Sequence, residues 1–333
     1  MNPAPALLLI GLVAAIPRPV GAQAIVPPSL DSVAALRLDS IVGAAATAYF
    51  RPADRARALQ VHGLLENFLG YHRTEAAIDA RLRVAVVGPE DWERITRLPF
   101  GLPTNSGLLG NLLLAATVPP ERVGARPLPG GAITDLLVVG HEGGHLLTYA
   151  LMPDALKANL TIRPDSWPPD VARRFARIQR VKPWYWELAA NWFAEAFIAA
   201  KRPAAATGWR DYLEANAAIP PPRFTHLDDW LSFAANQPVA ADSTPWVLTE
   251  EGGLNQSWYQ GAVGLAAAHL YEHAGFGMLA HVRRMIGGEG PTTTPGIVAE
   301  LEALAPGFNA LLDRLGVDWR ARAEEEPGTA NPH

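Results

Sequence analysis

The chain contains no cysteine. This absence excludes disulfide bonds, thiolate zinc ligands, iron–sulfur clusters and a cysteine nucleophile. Basic residues are not in excess either, because 28 Lys+Arg face 33 Asp+Glu and the formal net charge is −5. A charge of that sign provides no broad attraction for nucleic acid or for an anionic membrane surface. We therefore expect no nucleic-acid partner.

Long hydrophobic runs are also missing, apart from one short segment near the amino terminus. Residues 6–16 form an apolar run that is shorter than the roughly 20 residues a transmembrane helix needs. Small residues follow at Val20-Gly21-Ala22, which is typical of a signal-peptidase site. We predict a signal peptide over residues 1–22 and a secreted or periplasmic mature chain without stable membrane association.

The rest of the chain divides into two parts by its hydrophobic pattern. Residues 23–132 predict a small mixed α/β subdomain, and residues 133–322 show helical periodicity almost throughout. Residues 323–333 form a polar tail that we expect to be disordered. The whole predicts an α+β fold, with a small mixed α/β N-terminal half that leads through an active-site helix into a mostly helical C-terminal half.

Individual elements follow from the same pattern. In the first part, helices are predicted over Asp31–Phe50 and Ala53–Tyr71, and buried strands over Leu82–Val87 and Leu108–Val118. In the second part, helices are predicted over Ile133–Ala150, Pro169–Val181, Pro183–Ala200, Leu227–Ala235, Ser257–Ala274, Phe276–Ile286 and Pro295–Leu315.

The strongest chemical signal is His141-Glu142-Gly143-Gly144-His145, which matches the motif H-E-x-x-H. Residues four apart share one face of a helix, so both imidazoles can bind one tetrahedral zinc ion. Glu142 stands beside the first histidine, where its carboxylate can take a proton from a bound water. Two adjacent glycines inside a helix cost about 1 kcal/mol each relative to alanine, which also favours a functional interpretation.

Catalytic zinc normally has three protein ligands, so a third must be found. The extended metzincin motif is excluded, because Thr148 and Leu151 stand where it requires Gly and His. The predicted helix over residues 183–200 offers two glutamates, Glu187 and Glu195. They are separated by about 12 Å along an ideal helix, so only one of them can bind the same ion.

The motif followed by Glu187 and Asn191 resembles the gluzincin metallopeptidases, whose pattern is H-E-x-x-H with a downstream E-x-x-x-D or E-x-x-A-D/N helix. The resemblance to thermolysin-like members implies a zincin-like fold. It also implies Zn²⁺ held by His141, His145 and Glu187, with the side chain of Asn191 supporting a zinc histidine. Asn replaces the commoner Asp, and an amide supplies no charge, so it should polarise the histidine less.

A second alignment stays open for the third ligand. Residues 192–197 are similar to the W-L-N-E-G-F-A helix of aminopeptidase-N-type enzymes, which would make Glu195 the ligand. However, the G-x-M-E-N motif with which those enzymes hold a free amino terminus is missing from this chain. Its absence argues against a standard aminopeptidase.

Two further parts of the site are expected from the resemblance. Gluzincins stabilise the oxyanion with a Tyr or His from a later helix, and Tyr259 in the predicted helix Ser257–Ala274 is the candidate. His269 and His273, four residues apart, are the alternative source of that group or a second metal pair. The strand over Gly107–Val118 either lies at the edge of the sheet, where it could pair with an extended substrate, or is an interior strand.

These features together predict a secreted zinc-dependent metallopeptidase that acts on a peptide or protein substrate. Zinc would lower the pKa of bound water to about 7. Glu142 would be the general base, and Tyr259 or a histidine would carry the oxyanion. The competing hypothesis is a zincin-fold binding or structural module that keeps zinc and cleaves nothing.

Overall fold

The computed structural model describes residues 36–95, 104–106, 111–115, 132–159, 166–220, 223–229 and 250–322. The predicted signal peptide, residues 1–22, and the predicted tail, residues 323–333, lie outside this part of the chain. Among the helices of the described part, none combines the length and apolar character needed to cross a membrane.

The strands form one five-stranded mixed sheet in the order β1-β2-β3-β5-β4. Its strands are β1 (Asp39–Val42), β2 (Ala46–Phe50), β3 (Leu82–Val87), β4 (Thr104–Ser106) and β5 (Asn111–Ala115). The three inner strands β2, β3 and β5 are parallel, and each outer strand runs antiparallel to its neighbour. The strand predicted over residues 82–87 is confirmed with the same bounds.

The helix predicted over Asp31–Phe50 is wrong for its described residues. Residues 39–50 instead form the hairpin of β1 and β2. Along β2, buried positions alternate with half-buried ones, which is the period of two that a strand requires. Ala46, Ala48 and Phe50 are the buried positions. The alternation is short, and the alanines in it also favour a helix, so the sequence pattern did not indicate a strand.

The edge position considered for Gly107–Val118 is wrong for the described residues, and the interior alternative is correct. The described part of that segment, β5, lies between β3 and β4 and pairs with both. The edge position belongs to β4, which pairs only with β5 among the described strands. An apolar strand such as β5 is more stable inside the sheet, where its backbone groups are bonded on both sides.

The helical part of the fold matches the sequence pattern closely. The helices are α1 (Arg55–Ala76), α2 (Pro89–Ile95), α3 (Ala132–Ala150), α4 (Asp154–Lys157), α5 (Pro169–Arg180), α6 (Pro183–Lys201), α7 (Pro203–Ala217), α8 (Glu250–Ala274), α9 (Met278–Ile286), α10 (Thr294–Leu304) and α11 (Phe308–Arg314). The long helices predicted from residues 53, 133, 169, 183, 257 and 276 are confirmed within a few residues, except that α8 begins earlier.

Three helical predictions need correction. The single helix over Pro295–Leu315 is two helices, because the chain breaks at Gly307, whose φ of 90° ends helical geometry. Of the helix over Leu227–Ala235, Leu227–Asp229 is one short 3₁₀ turn, and the rest lies outside the described residues. Helix α7 was not predicted, because it buries only Trp209, Leu213 and Asn216 and its hydrophobic stripe is narrow.

The two halves give an α+β fold in which helices dominate. Helix α1 packs on β2 and on α3, and thus connects the sheet to the helical half. Helix α3 packs mainly against α6, and α8 packs against both α6 and α7. The helix that carries the H-E-x-x-H motif therefore lies between the sheet and the helical half, next to the helix that carries Glu187.

Candidate metal centre

Helix α3 brings the two motif histidines together as their spacing predicts. His141 and His145 are both buried, and their rings meet edge to face with centroids 4.7 Å apart. Their Nε2 atoms are 3.2 Å apart. Two imidazole nitrogens this close need either a shared proton or a common cation, so the pair supplies two members of a candidate metal-binding group.

Helix α6 supplies the third member of this group. Glu187 Oε2 lies 3.2 Å from His141 Nε2, and Oε1 lies 3.4 Å from His145 Nε2. One ligand atom from each of the three side chains falls within 4.8 Å of the others. The buried group of His141, His145 and Glu187 could therefore hold a metal ion.

The carboxylate of Glu187 is in an unusual position for a buried charge. Only 1% of its surface is exposed, and neither oxygen has a well-formed hydrogen bond within the described residues. Burial alone would raise its pKa, but the nearby imidazoles of His145 and His141 lower it to about 2. An ionised carboxylate without hydrogen bonds is costly inside a protein, and a bound cation would remove that cost.

The second ring nitrogen of His141 has its own partner. Its Nδ1 lies 3.1 Å from Asn191 Oδ1, and both side chains are buried. Because an amide oxygen only accepts, Nδ1 carries the proton, and Nε2 is the nitrogen that faces Glu187. The expected contact between Asn191 and a motif histidine is confirmed. This contact fixes the tautomer that can bind a metal.

Helices α3 and α6 approach each other closely at this group. A Cβ atom on Gly144 would lie 2.4 Å from the backbone oxygen of Ala190, so only glycine allows this contact. One turn earlier, a Cβ on Gly140 would lie 3.1 Å from the Cβ of Ala194. Close packing of α3 therefore explains why glycines occur inside this helix. Their cost in helix stability, which the sequence analysis took as a sign of function, does not indicate function.

No family model, curated protein or solved structure matches this chain. The centre must therefore be interpreted from its own residues. Two histidines with one carboxylate are the ligand set of hydrolytic zinc sites such as His₂Glu. The same set also binds non-haem Fe²⁺, so the three ligands alone do not identify the metal.

The rival ligand Glu195 lies elsewhere and has protein partners. Its Oε2 accepts a hydrogen bond of 2.7 Å from Trp209 Nε1, and Arg210 lies 3.6 Å from Oε1. Burial raises the pKa of this carboxyl although Trp209 and Arg210 act to lower it. Glu195 therefore joins α6 to α7, and it is Glu187 that the structure brings to the histidines.

Tyr259 is not placed with the metal-binding group by any described contact. It is fully buried in α8, and its hydroxyl donates a hydrogen bond to the backbone oxygen of His226. Its proposed role as the oxyanion donor stays a prediction, and it would require that bond to open.

His269 and His273 stack on each other with ring centroids 4.0 Å apart. Within the described residues they belong to no group of three metal ligands.

One partly buried network that includes a residue of α6 was not found from the sequence. Tyr185 Oη lies 2.8 Å from His281 Nδ1, and His281 Nε2 lies 3.0 Å from a Glu300 oxygen. Arg284 bonds the same carboxylate. With Nε2–H donating to Glu300, Nδ1 accepts from Tyr185 and every group is paired. This network anchors the first turn of α6 to α9 and α10, two residues before Glu187.

Proposed function

We propose that the protein is a zinc-dependent metallopeptidase of gluzincin type. The observation that carries the proposal is the buried convergence of His141, His145 and Glu187, with ligand atoms within 4.8 Å of one another. The glutamate comes from a second helix, and this arrangement is the one that the gluzincin resemblance implies. The presence of Glu142 between the histidine ligands favours hydrolysis over the alternative chemistry of an iron site.

The residues present fit a zinc ion. The carboxylate oxygens of Glu187 have no well-formed hydrogen bond within the described residues, and only the two imidazoles approach them there. His141 points its Nε2 toward this carboxylate, because Asn191 binds the opposite nitrogen. Bound zinc would supply Lewis acidity, which lowers the pKa of a coordinated water to about 7.

Glu142 is assigned the role of general base in the reaction. Its side chain is 1% exposed, and its negative charge acts to raise the pKa of the neighbouring His141. A carboxylate held in this position takes a proton from the attacking water and passes it to the leaving amine. Its burial keeps bulk water away, which strengthens its electrostatic effect on the reacting atoms.

The substrate is proposed to be an extended peptide. Strand β4 lies at one edge of the sheet and contacts α3. An edge strand offers unpaired backbone groups with which a peptide can pair. This position replaces the edge that the sequence placed at Gly107–Val118.

The proposal also includes a fold type and a cellular location. The five-stranded mixed sheet, followed by the motif helix and a second ligand helix, supports a zincin-like arrangement. The apolar run over residues 6–16, followed by small residues, supports export by a cleaved signal peptide. The mature protein would then act in the periplasm or outside the cell.

Elemental analysis and a peptide library test the proposal together. We expect about one zinc per chain, and we expect Glu142→Gln to keep zinc but to lose nearly all cleavage. Iron in place of zinc, or full cleavage by Glu142→Gln, would contradict the proposal. The competing hypothesis is a module that binds zinc without cleavage. That module would show stoichiometric zinc and no cleavage by the wild type.

A further inference from the structure

A cavity of about 430 Å³ lies between α1 and the carboxyl end of α6. Its volume is within the range of small-molecule sites. Lys201, which lines it, is separated from Glu187 by about 21 Å along the axis of α6. The cavity is therefore distinct from the metal centre. Its lining is mostly polar and charged, which excludes an apolar ligand.

Two cations face this cavity from the end of α6. Neither Lys201 nor Arg202 forms a salt bridge with another described residue. Lys201 Nζ lies 5.6 Å from the ring centre of Tyr71, and the Arg202 guanidinium lies 5.9 Å from the ring centre of Phe197. Two positive charges at one opening attract an anionic group, and arginine is well suited to a carboxylate.

Carboxylates line the cavity from the side of α1. Glu66 Oε1 already accepts hydrogen bonds from the backbone N–H groups of Ala45 and Ala46. Glu75 is exposed and has no salt bridge with the described residues, so it is the carboxylate that is free to bind a cation. The cavity thus presents positive charge on one side and negative charge on the other.

The spacing of these charges suggests the size of the ligand. Lys201 lies over Tyr71, and Tyr71 precedes Glu75 by about 6 Å along α1. An extended chain covers at most about 3.3–3.6 Å per residue. Two residues therefore span about 7 Å, close to the step of about 6 Å along α1 from Tyr71, over which Lys201 lies, to Glu75.

Gly70 keeps the middle of the cavity open. It lies inside α1, where glycine destabilises a helix relative to alanine. A Cβ added to Gly70 would meet no atom within 4 Å, so packing does not require this glycine, in contrast to Gly144. A larger side chain here would extend into the space that the cavity occupies.

We propose that this cavity binds a short zwitterionic peptide of about two residues. Its carboxylate would meet Lys201 and Arg202, and its ammonium group would meet Glu75. This inference goes beyond the proposed peptidase activity and requires neither zinc nor Glu142.

Calorimetric titration of the full chain with the dipeptide Gly-Leu tests the proposal. N-acetylated and C-amidated Gly-Leu should each bind at least about tenfold more weakly, because each lacks one charge that the site pairs. Equal binding of the blocked forms, or equal competition by acetate, would overturn the proposal. Glu187→Ala should bind Gly-Leu as the wild type does. Loss of binding in that variant would place the dipeptide at the metal centre instead.

A matched pair of variants sharpens the test. Gly63 is also inside α1, and a Cβ there would also meet nothing within 4 Å, but it does not line the cavity. Gly63→Leu and Gly70→Leu should both raise the midpoint of thermal unfolding, because each replaces a glycine inside a helix. Only Gly70→Leu should lose dipeptide binding. Retained binding in Gly70→Leu would contradict the proposal.

Discussion

Two buried glutamates lie two turns apart on the same helix and have opposite surroundings. Glu195 accepts a hydrogen bond from Trp209 and faces Arg210. Glu187 has no well-formed hydrogen bond within the described residues, and only imidazoles approach it. Burial raises the pKa of the Glu195 carboxyl, whereas the two histidines hold the pKa of Glu187 at about 2.

The difference shows how a ligand can be distinguished from a structural carboxylate. A buried charge must be compensated, either by protein donors or by a cation. For Glu195 the compensation comes from side chains of α7. For Glu187 it is incomplete without a metal ion, although both residues are glutamates in the same apolar helix. The residues that surround each carboxylate therefore decide which glutamate can bind a metal ion.

The largest expected effect is on metal affinity. Glu187→Gln should weaken zinc binding by about 3–5 kcal/mol, or about 100- to 4,000-fold, because a buried partner of the metal loses its charge. Glu195→Gln should leave the zinc affinity unchanged. Competition against a chromophoric chelator measures both variants. If zinc were lost in Glu195→Gln and kept in Glu187→Gln, the alignment with aminopeptidase-N-type enzymes would be the correct one.

A third polar contact of α6 predicts a dependence of stability on acid. His72 Nε2 lies 3.1 Å from the backbone oxygen of Phe193, and aromatic rings surround the imidazole. Burial lowers the pKa of His72 from 6.5 to about 3. The unfolded chain therefore takes up the proton first, and stability falls as the pH drops from about 6.5 toward 3. The loss between pH 7 and pH 4 should be at most about 3 kcal/mol.

Urea unfolding at several pH values measures this effect. Other groups titrate in the same range, so the quantity to compare is the difference between wild type and His72→Phe. That difference should shrink as the pH falls, because the variant has no imidazole to protonate. A constant difference between pH 7 and pH 4 would show that His72 does not cause the acid sensitivity.

The next effect is on stability without any change in metal binding. Glu195→Ala should lower the free energy of unfolding by about 1–3 kcal/mol, because the indole N–H of Trp209 loses its acceptor in the interior. Glu195→Gln keeps an oxygen that can accept this bond, so it should cost less than Glu195→Ala. Denaturant unfolding with zinc present gives both values. Equal losses in the two variants would mean that the hydrogen bond from Trp209 contributes little.

The local part of the fold and site could be predicted from the sequence. The spacing of His141 and His145 defines one helix face. Most long helices were also predictable, because their hydrophobic period is sustained over many residues. These features depend on residues close in the chain.

The rest depends on contacts between distant residues. The hairpin of β1 and β2 has too few residues for its period of two to outweigh the helix propensity of its alanines. Whether β5 lies inside the sheet or at its edge is decided by pairing with β4, which no local pattern reveals. The network of Tyr185, His281 and Glu300 joins three helices, and each residue alone resembles an ordinary core or surface position.

The smallest expected effect concerns the support of His141. Asn191 Oδ1 accepts from His141 Nδ1 but carries no charge. Asn191→Asp should tighten zinc binding, and Asn191→Ala should weaken it by about tenfold, the lower end of the range for partners that orient a ligand. Both values come from the same chelator competition, with Glu195→Gln as the control on α6. If Asn191→Ala left the affinity unchanged, Asn191 would serve only to pack α6 against α3. The lack of charge on its amide would then have no effect on zinc affinity.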